Sequence, residues 1–148
     1  MTGKPMTYKR GLTTEDYPLA EKRPDLVRTR RGKKLEDLTL DALEAGEIAL
    51  EDLRITPEAL QQQAEIARAA GRPTLGRNFA RAAELIDVPQ DVILRIYELL
   101  RPGRAKGKGD LIEAAKLLRE TYKAERMAAF IEEAAEVYER RGLFSKRF

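Results

Sequence analysis

The side chains in this sequence that could do chemistry are carboxylates and guanidinium groups. Three carboxylate pairs sit four residues apart: Glu132 with Glu136, Asp87 with Asp91, and Glu47 with Glu51. On a helix that spacing puts both groups on one face. General acid–base catalysis needs such groups in a pocket that shifts their pKa values apart. These pairs fall on polar helix faces or beside caps, so the reading as solvated surface outweighs catalysis. The chain has no His, no Cys and no Trp. Disulfides, thiolate nucleophiles, zinc fingers and His-dependent triads are thereby excluded, and a metal site would have to be built from oxygen alone. Residues 101–109 hold three glycines and four basic side chains. They lack the Walker spacing and the preceding strand of a phosphate loop. No catalytic, cofactor-binding or metal-ligating residue is expected.

Nucleic-acid binding has more to support it. Lys22 to Lys34 holds seven basic residues in thirteen. The segments 57–70 and 75–86, joined around Gly71, resemble a helix-turn-helix, with Arg77, Asn78 and Arg81 on the outer face of the second helix. Arg and Asn suit base edges. Two helices around a glycine turn are also the ordinary way to build a helical bundle, and Pro24 and Asp25 interrupt the basic run. A stand-alone helical nucleic-acid-binding module is therefore the alternative reading, not the preferred one.

These side chains must be positioned by a small fold. The chain has 148 residues, of which 43% are hydrophobic and 36% charged, which allows one domain and a core. Residues 1–35 carry ten basic and four acidic side chains, a net of +6, whereas residues 36–148 carry a net of −3. The positive charge thus belongs to the N-terminal arm. No apolar run approaches the roughly 20 residues that span a bilayer. No apolar segment precedes the first charges, so no signal peptide is visible, and a cytoplasmic location is expected.

Residues 1–38 show no helical period, and Pro5, Pro18 and Pro24 interrupt them. They read as an extended arm, disordered or laid along a partner, with a small hairpin at 26–35 turning at Gly32. Residues 39–148 read as a helical domain. Thr39 caps a short helix, 40–45, closed by Gly46, and a short turn follows at 50–54. Thr56, Pro57 and Glu58 start a helix over 57–70. A further helix, 75–86, has Leu75, Phe79, Ala82 and Ile86 as its core stripe, with Glu84 placed to offset Arg81. The helix at 89–100 is apolar on most sides, which suits a bundle centre or a subunit interface. From Asp110 to Arg141 there is no Gly or Pro. Leu111, Ala115, Leu118 and Tyr122 share one face there, and Phe130, Ala134, Val137 and Arg141 another. Either the helix breaks near 123–126 or its halves face different surfaces. The expected fold is all-α: a small helical bundle with an extended N-terminal arm and a long C-terminal helix.

Several segments carry a family resemblance. They include Asp16-Tyr17-Pro18-Leu19-Ala20, Thr39-Leu40 with Gly46-Glu47, Arg54-Ile55 and Gln63-Ala64-Glu65-Ile66-Ala67. The resemblance tightens at Arg77-Asn78-Phe79-Ala80-Arg81-Ala82-Ala83-Glu84-Leu85-Ile86 and at Ile93-Leu94-Arg95-Ile96-Tyr97. It continues through Leu100-Arg101-Pro102 and Glu133-Ala134-Ala135-Glu136-Val137-Tyr138. In order and spacing these resemble the small subunit of the adenosylcobalamin-dependent diol and glycerol dehydratases, over about residues 16–141. Residues 1–15 and 103–109 are not matched.

The resemblance implies a non-catalytic, mostly helical subunit packed on a large subunit. The large subunit carries the active site in a (β/α)₈ barrel, and cobalamin lies between the large and medium subunits. The implied complex is a dimer of αβγ trimers that dehydrates 1,2-propanediol or glycerol to the aldehyde by radical chemistry. This chain would bind no cofactor, nucleic acid or membrane. Its interface residues are expected at Tyr17, Pro18, Arg77, Asn78, Arg81, Tyr97, Phe130 and Tyr138. Residues 1–14 show no amphipathic helix, so any entry into a bacterial microcompartment would come through a partner subunit.

Overall fold

A computed structural model describes residues 10–144. Among these residues there are seven α-helices, four short 3₁₀ helices and no named strand, so the fold is all-α. The expectation that residues 1–14 hold no amphipathic helix lies, for residues 1–9, outside the described residues. The chain divides into two compact units, Met1–Phe79 and Ala80–Phe148.

In the first unit, a 3₁₀ turn at Thr14–Asp16, helix α1 (Leu19–Lys22) and a second turn at Pro24–Leu26 lead to a tight reversal. Arg28 and Lys34 form an isolated antiparallel bridge. Gly32 turns the chain between them with φ +84°, a left-handed conformation that favours glycine. Leu12, Leu19 and Leu26 are buried with Ile66 of helix α3 (Pro57–Ala69). The Leu12 N–H donates to Glu65 Oε2 on the same helix (3.0 Å). The segment whose apolar residues look sparse in sequence thus places three leucines, seven residues apart, against one helix of its own chain.

Local capping sets the next elements. The Thr39 side chain accepts from Ala42 N at the start of helix α2 (Leu40–Glu44), and Thr56 accepts from Ala59 N at the start of α3, where Pro57 takes the first position. Both are ordinary N-caps. Leu60, Gln62, Ala64 and Ala67 are buried on α3, while Ala70 is exposed. Helix α4 (Pro73–Leu85) starts two residues earlier than its apolar stripe suggests, because Pro73 suits the first turn. The predicted stripe on α4 needs correction. Leu75, Phe79, Ala82 and Ile86 are only half-buried, whereas Gly76, Ala80 and Ala83 are buried. Gly76 shows why: a Cβ there would lie 2.8 Å from Arg68 Cγ and 3.0 Å from the Ala64 carbonyl oxygen. The absent side chain lets the α3 backbone approach closely.

In the second unit, α5 (Gln90–Leu100) packs on α6 (Lys108–Tyr122), which forms the main helix pair with α7 (Glu125–Arg141). Of the two alternatives for 110–141, the break is what forms. Lys123 adopts φ +57°, and the Ala124 N–H donates to the Leu118 carbonyl (2.9 Å), closing α6 with a left-handed cap. The second of the two helices, 17 residues, is the long C-terminal one, and Gly142 caps it with φ +65°. Leu111, Ala115 and Leu118 are buried as expected. On α7 the buried face is Ala128, Ile131 and Ala135, not Phe130, Ala134, Val137 and Arg141. Small residues allow α6 and α7 to approach, and Phe130 is left on the outside.

Candidate functional site

The carboxylate pairs that could have served acid–base chemistry either enter ordinary ion pairs or lie exposed on the surface. Glu132 accepts two hydrogen bonds from the Arg119 guanidinium (2.6 and 2.9 Å), which hold its pKa below the usual carboxylate value. Arg119 also reaches Glu125 (2.8 Å). Glu136 pairs with Lys108 at 2.6 Å and Glu139 does so at 3.0 Å. These contacts tie the start of α6 to the end of α7, and the reverse, so the pair is antiparallel. Asp87, Asp91, Glu47 and Glu51 are exposed.

Two aspartates that the sequence reading passed over are the most enclosed charged groups among the described residues. Asp16 is buried beneath a bidentate Arg10 contact (2.9 and 3.0 Å), with Arg23 at 3.4 Å and the Thr13 N–H at 2.9 Å. Asp52 is buried and accepts from the Thr29 hydroxyl, Arg31 and the Ala49 N–H, each at 2.9 Å. Backbone donation, from Thr13 and from Ala49 respectively, is the largest cause holding each pKa below the usual carboxylate value, and it outweighs burial. These are knots that fasten the N-terminal segment, and every oxygen faces a donor, so they hold no vacant acid–base group.

A pH dependence follows. A carboxylate whose folded pKa is depressed stabilises the fold above its unfolded pKa and loses that stabilisation as pH falls through the folded value. Acidification below about pH 4 is therefore expected to loosen residues 10–54 first. Asp25, depressed by Arg23, acts in the same direction. The Asp16→Asn/Asp52→Asn variant should be less stable at neutral pH and show a flatter acid transition, measured by hydrogen exchange against pH. An unchanged acid transition would refute the assignment.

The basic run at 22–34 is substantially committed within the chain. Arg23 pairs with Asp16 and Asp25, Arg30 with Glu51, Arg31 with Asp52 and Lys34 with Glu36. That weakens the case for a phosphate-binding stripe.

The predicted interface residues are dispersed. Tyr17 and Pro18 are exposed in the first unit, joined by a cis peptide bond. Arg77 and Asn78 are exposed, and Arg77 donates to the Thr74 hydroxyl (3.0 Å). Tyr97 is exposed on α5. The structure brings Arg81 and Phe130 together, with the guanidinium 4.3 Å from the ring centroid. Tyr138 is half-buried; its hydroxyl donates to the Leu100 carbonyl, and its ring meets Phe144. Glu84 does not serve Arg81 as i+3 spacing suggests. It accepts from the Arg126 and Met127 N–H groups (3.1 and 2.8 Å) at the start of α7, where an anion suits the helix dipole.

Sequence reasoning missed a group of exposed apolar side chains in the first unit: Leu40, Leu43, Leu50, Leu53 and Ile55. The signal was available. Residues 40–55 hold six large apolar side chains, and the four leucines lie on helices one turn long that have no second turn to shelter them.

The sequence offers no imidazole that could serve a corrin cofactor as an axial ligand. A cleft of about 370 Å³ lined by Pro24, Asp25, Arg28, Lys34, Leu35 and Glu36 carries balanced charges and no aromatic face. Among the described residues, no three Asp or Glu cluster to hold a metal ion, and no helix is long and apolar enough to cross a membrane.

Comparison with known proteins gives a consistent result. The profile of the family described as dehydratase small subunit matches residues 12–145. The chain is 50% identical over 123 residues to the propanediol dehydratase small subunit of Citrobacter freundii, covering 83% of this chain and 71% of that protein. It is 47% identical over 129 residues to the propanediol dehydratase small subunit of Salmonella typhimurium, covering 87% of this chain and 74% of that protein.

Proposed function

The chain belongs to the dehydratase small-subunit family, and from that premise we propose that it is the non-catalytic small subunit of an adenosylcobalamin-dependent propanediol dehydratase. The observation that carries this reading is the family match over residues 12–145, supported by a chain without His or Cys. Its role is to pack on the large subunit and stabilise it. The cobalamin and the radical dehydration of 1,2-propanediol to the aldehyde belong to the large and medium subunits. Glycerol is the second substrate of this class, and the choice between the two diols lies with the subunit that holds the substrate. The assembly proposed is a dimer of αβγ trimers in the cytoplasm, with any encapsulation arising through a partner subunit.

Exposed Tyr17, Arg77, Asn78 and Tyr97 are available for contacts between subunits. Arg81 and Phe130 form a stacked pair whose outer surface is available in the same way.

The test is reconstitution. The purified chain with propanediol and adenosylcobalamin is expected to show no aldehyde formation. The large and medium subunits are expected to give an active complex that is more stable once this chain is added. Turnover by the chain alone would overturn the non-catalytic assignment. A large–medium complex indifferent to the chain would overturn the stabilising role.

A further inference from the structure

Half of the ten large hydrophobic residues exposed among the described residues lie within sixteen positions of the first unit. Leu40 is 68% exposed, Leu43 52%, Leu50 72%, Leu53 65% and Ile55 52%. Scattered single leucines on a surface need no explanation, but such a concentration does. Helix α2 sets Leu40 and Leu43 three residues apart on one face. The 3₁₀ helix Leu50–Leu53 has about three residues per turn, so Leu50 and Leu53 stack one above the other. The result is two short apolar ridges turned to solvent.

The backbone beneath the ridges is fastened. Thr39 caps α2. Asp52, inside the 3₁₀ helix, is buried; it accepts from Thr29 and Arg31, which fixes the helix to both, and from the Ala49 N–H at the helix's own start. Thr56 caps the helix that follows. Asp52 of the Leu50–Leu53 turn faces inward while both leucines face outward, the reverse of what folding of this chain alone favours. Anchored side chains lose little further backbone entropy on binding.

Charge selects the occupant. Asp41, Glu44, Glu47 and Glu51 are exposed among these residues, and Arg54 is the one basic side chain between Thr39 and Ile55. Glu51 has a long contact with Arg30, at 4.0 Å. A symmetric contact between two copies through this face would oppose the same carboxylates to themselves. An anionic lipid surface would repel them as well.

We infer that the two leucine ridges, Leu40–Leu43 and Leu50–Leu53, dock on the large subunit of the same dehydratase, which presents apolar pockets rimmed by lysine and arginine. This rests on the small-subunit reading and adds the surface and the chemistry of its partner.

The experiment titrates the full chain into the purified large–medium complex and compares it with two double variants. Leu50→Ser/Leu53→Ser removes one ridge and is expected to weaken binding about 100-fold, as loss of a central apolar anchor does. Glu44→Lys/Glu47→Lys is expected to weaken binding about tenfold at low salt and to reverse its salt dependence. Helicity of both variants is read by circular dichroism. If the leucine variant fails to fold, the charge variant decides alone. No binding by the wild-type chain overturns the small-subunit reading, and the surface with it. Wild-type binding with both variants within twofold overturns the surface alone. Self-association of the chain, or attachment to anionic vesicles, that disappears in the leucine variant also overturns it, by assigning the ridges to another occupant.

Discussion

Ile131→Ala is expected to destabilise the second unit by about 2–5 kcal/mol, while Phe130→Ala, one residue away, costs far less. Ile131 is fully buried between α6 and α7, and with Leu111 and Leu118 it is one of the three largest completely enclosed side chains among the described residues. Its neighbours on the buried face are Ala128 and Ala135. Alanines have no rotamers with which to fill a hole, so the cavity left by truncation persists and the cost falls toward the upper part of that range. Phe130 is exposed, and its ring is covered on one side by Arg81 at 4.3 Å. Losing that contact costs about 0.5–1 kcal/mol at an exposed site, plus a part-buried ring's share of apolar area. Urea denaturation of the two variants gives the comparison. A Phe130→Ala loss equal to or larger than that of Ile131→Ala would show that the face assignment on α7 is wrong.

That contrast also marks where the sequence is legible. Local chemistry reads well. Thr39 and Thr56 cap the helices they precede, Pro57 opens α3, and Gly46, Gly71 and Gly142 adopt positive φ near helix ends. Each depends on one residue's own backbone preference, which its neighbours do not change. Apolar faces read well when large side chains define them, as Leu111 and Leu118 do. They misread when alanine and glycine form the contact. Gly76 and Ala80 on α4, and Ala128 and Ala135 on α7, are buried, yet contribute little to a hydrophobic stripe. Phe79 and Phe130 draw the stripe toward themselves and end less buried.

The break near Lys123 is half legible. The change of face announces it, but a left-handed lysine carries no sequence signal. Long-range polar contacts are not legible at all. Asp16 reaching Arg10 and Arg23, Asp52 reaching Thr29, and Glu84 reaching the first turn of α7 all depend on how the chain folds back. Of the interface residues expected from family resemblance, Tyr17, Arg77, Asn78 and Tyr97 are exposed. The leucines at 40–53 escaped notice because short helices give periodicity too few turns to register.

Ile66→Ala is expected to cost the first unit about 2–5 kcal/mol and to release the N-terminal segment in particular. Ile66 is the side chain of α3 that meets Leu12, Leu19 and Leu26 in one buried cluster, with Val27 packed beside them. The elements it holds are one or two turns long, Thr14–Asp16, Leu19–Lys22 and Pro24–Leu26. None is long enough to persist as an isolated helix. Their backbone bonds, such as Arg23 N to Leu19 O (2.8 Å) and Leu26 N to Arg23 O (3.0 Å), depend on the leucines staying docked. Removing the common anchor should therefore act as a local opening as well as a global loss. Hydrogen exchange is the measurement: protection at residues 16–26 should fall further than protection within α6 and α7. Ile55→Ala is the control, since Ile55 is exposed and its truncation should stay within about 0.5 kcal/mol. If Ile66→Ala leaves the exchange of residues 16–26 unchanged, the segment is held by something other than this cluster. In that case the Asp16 contacts with Arg10, Arg23 and the Thr13 N–H would have to fix it alone.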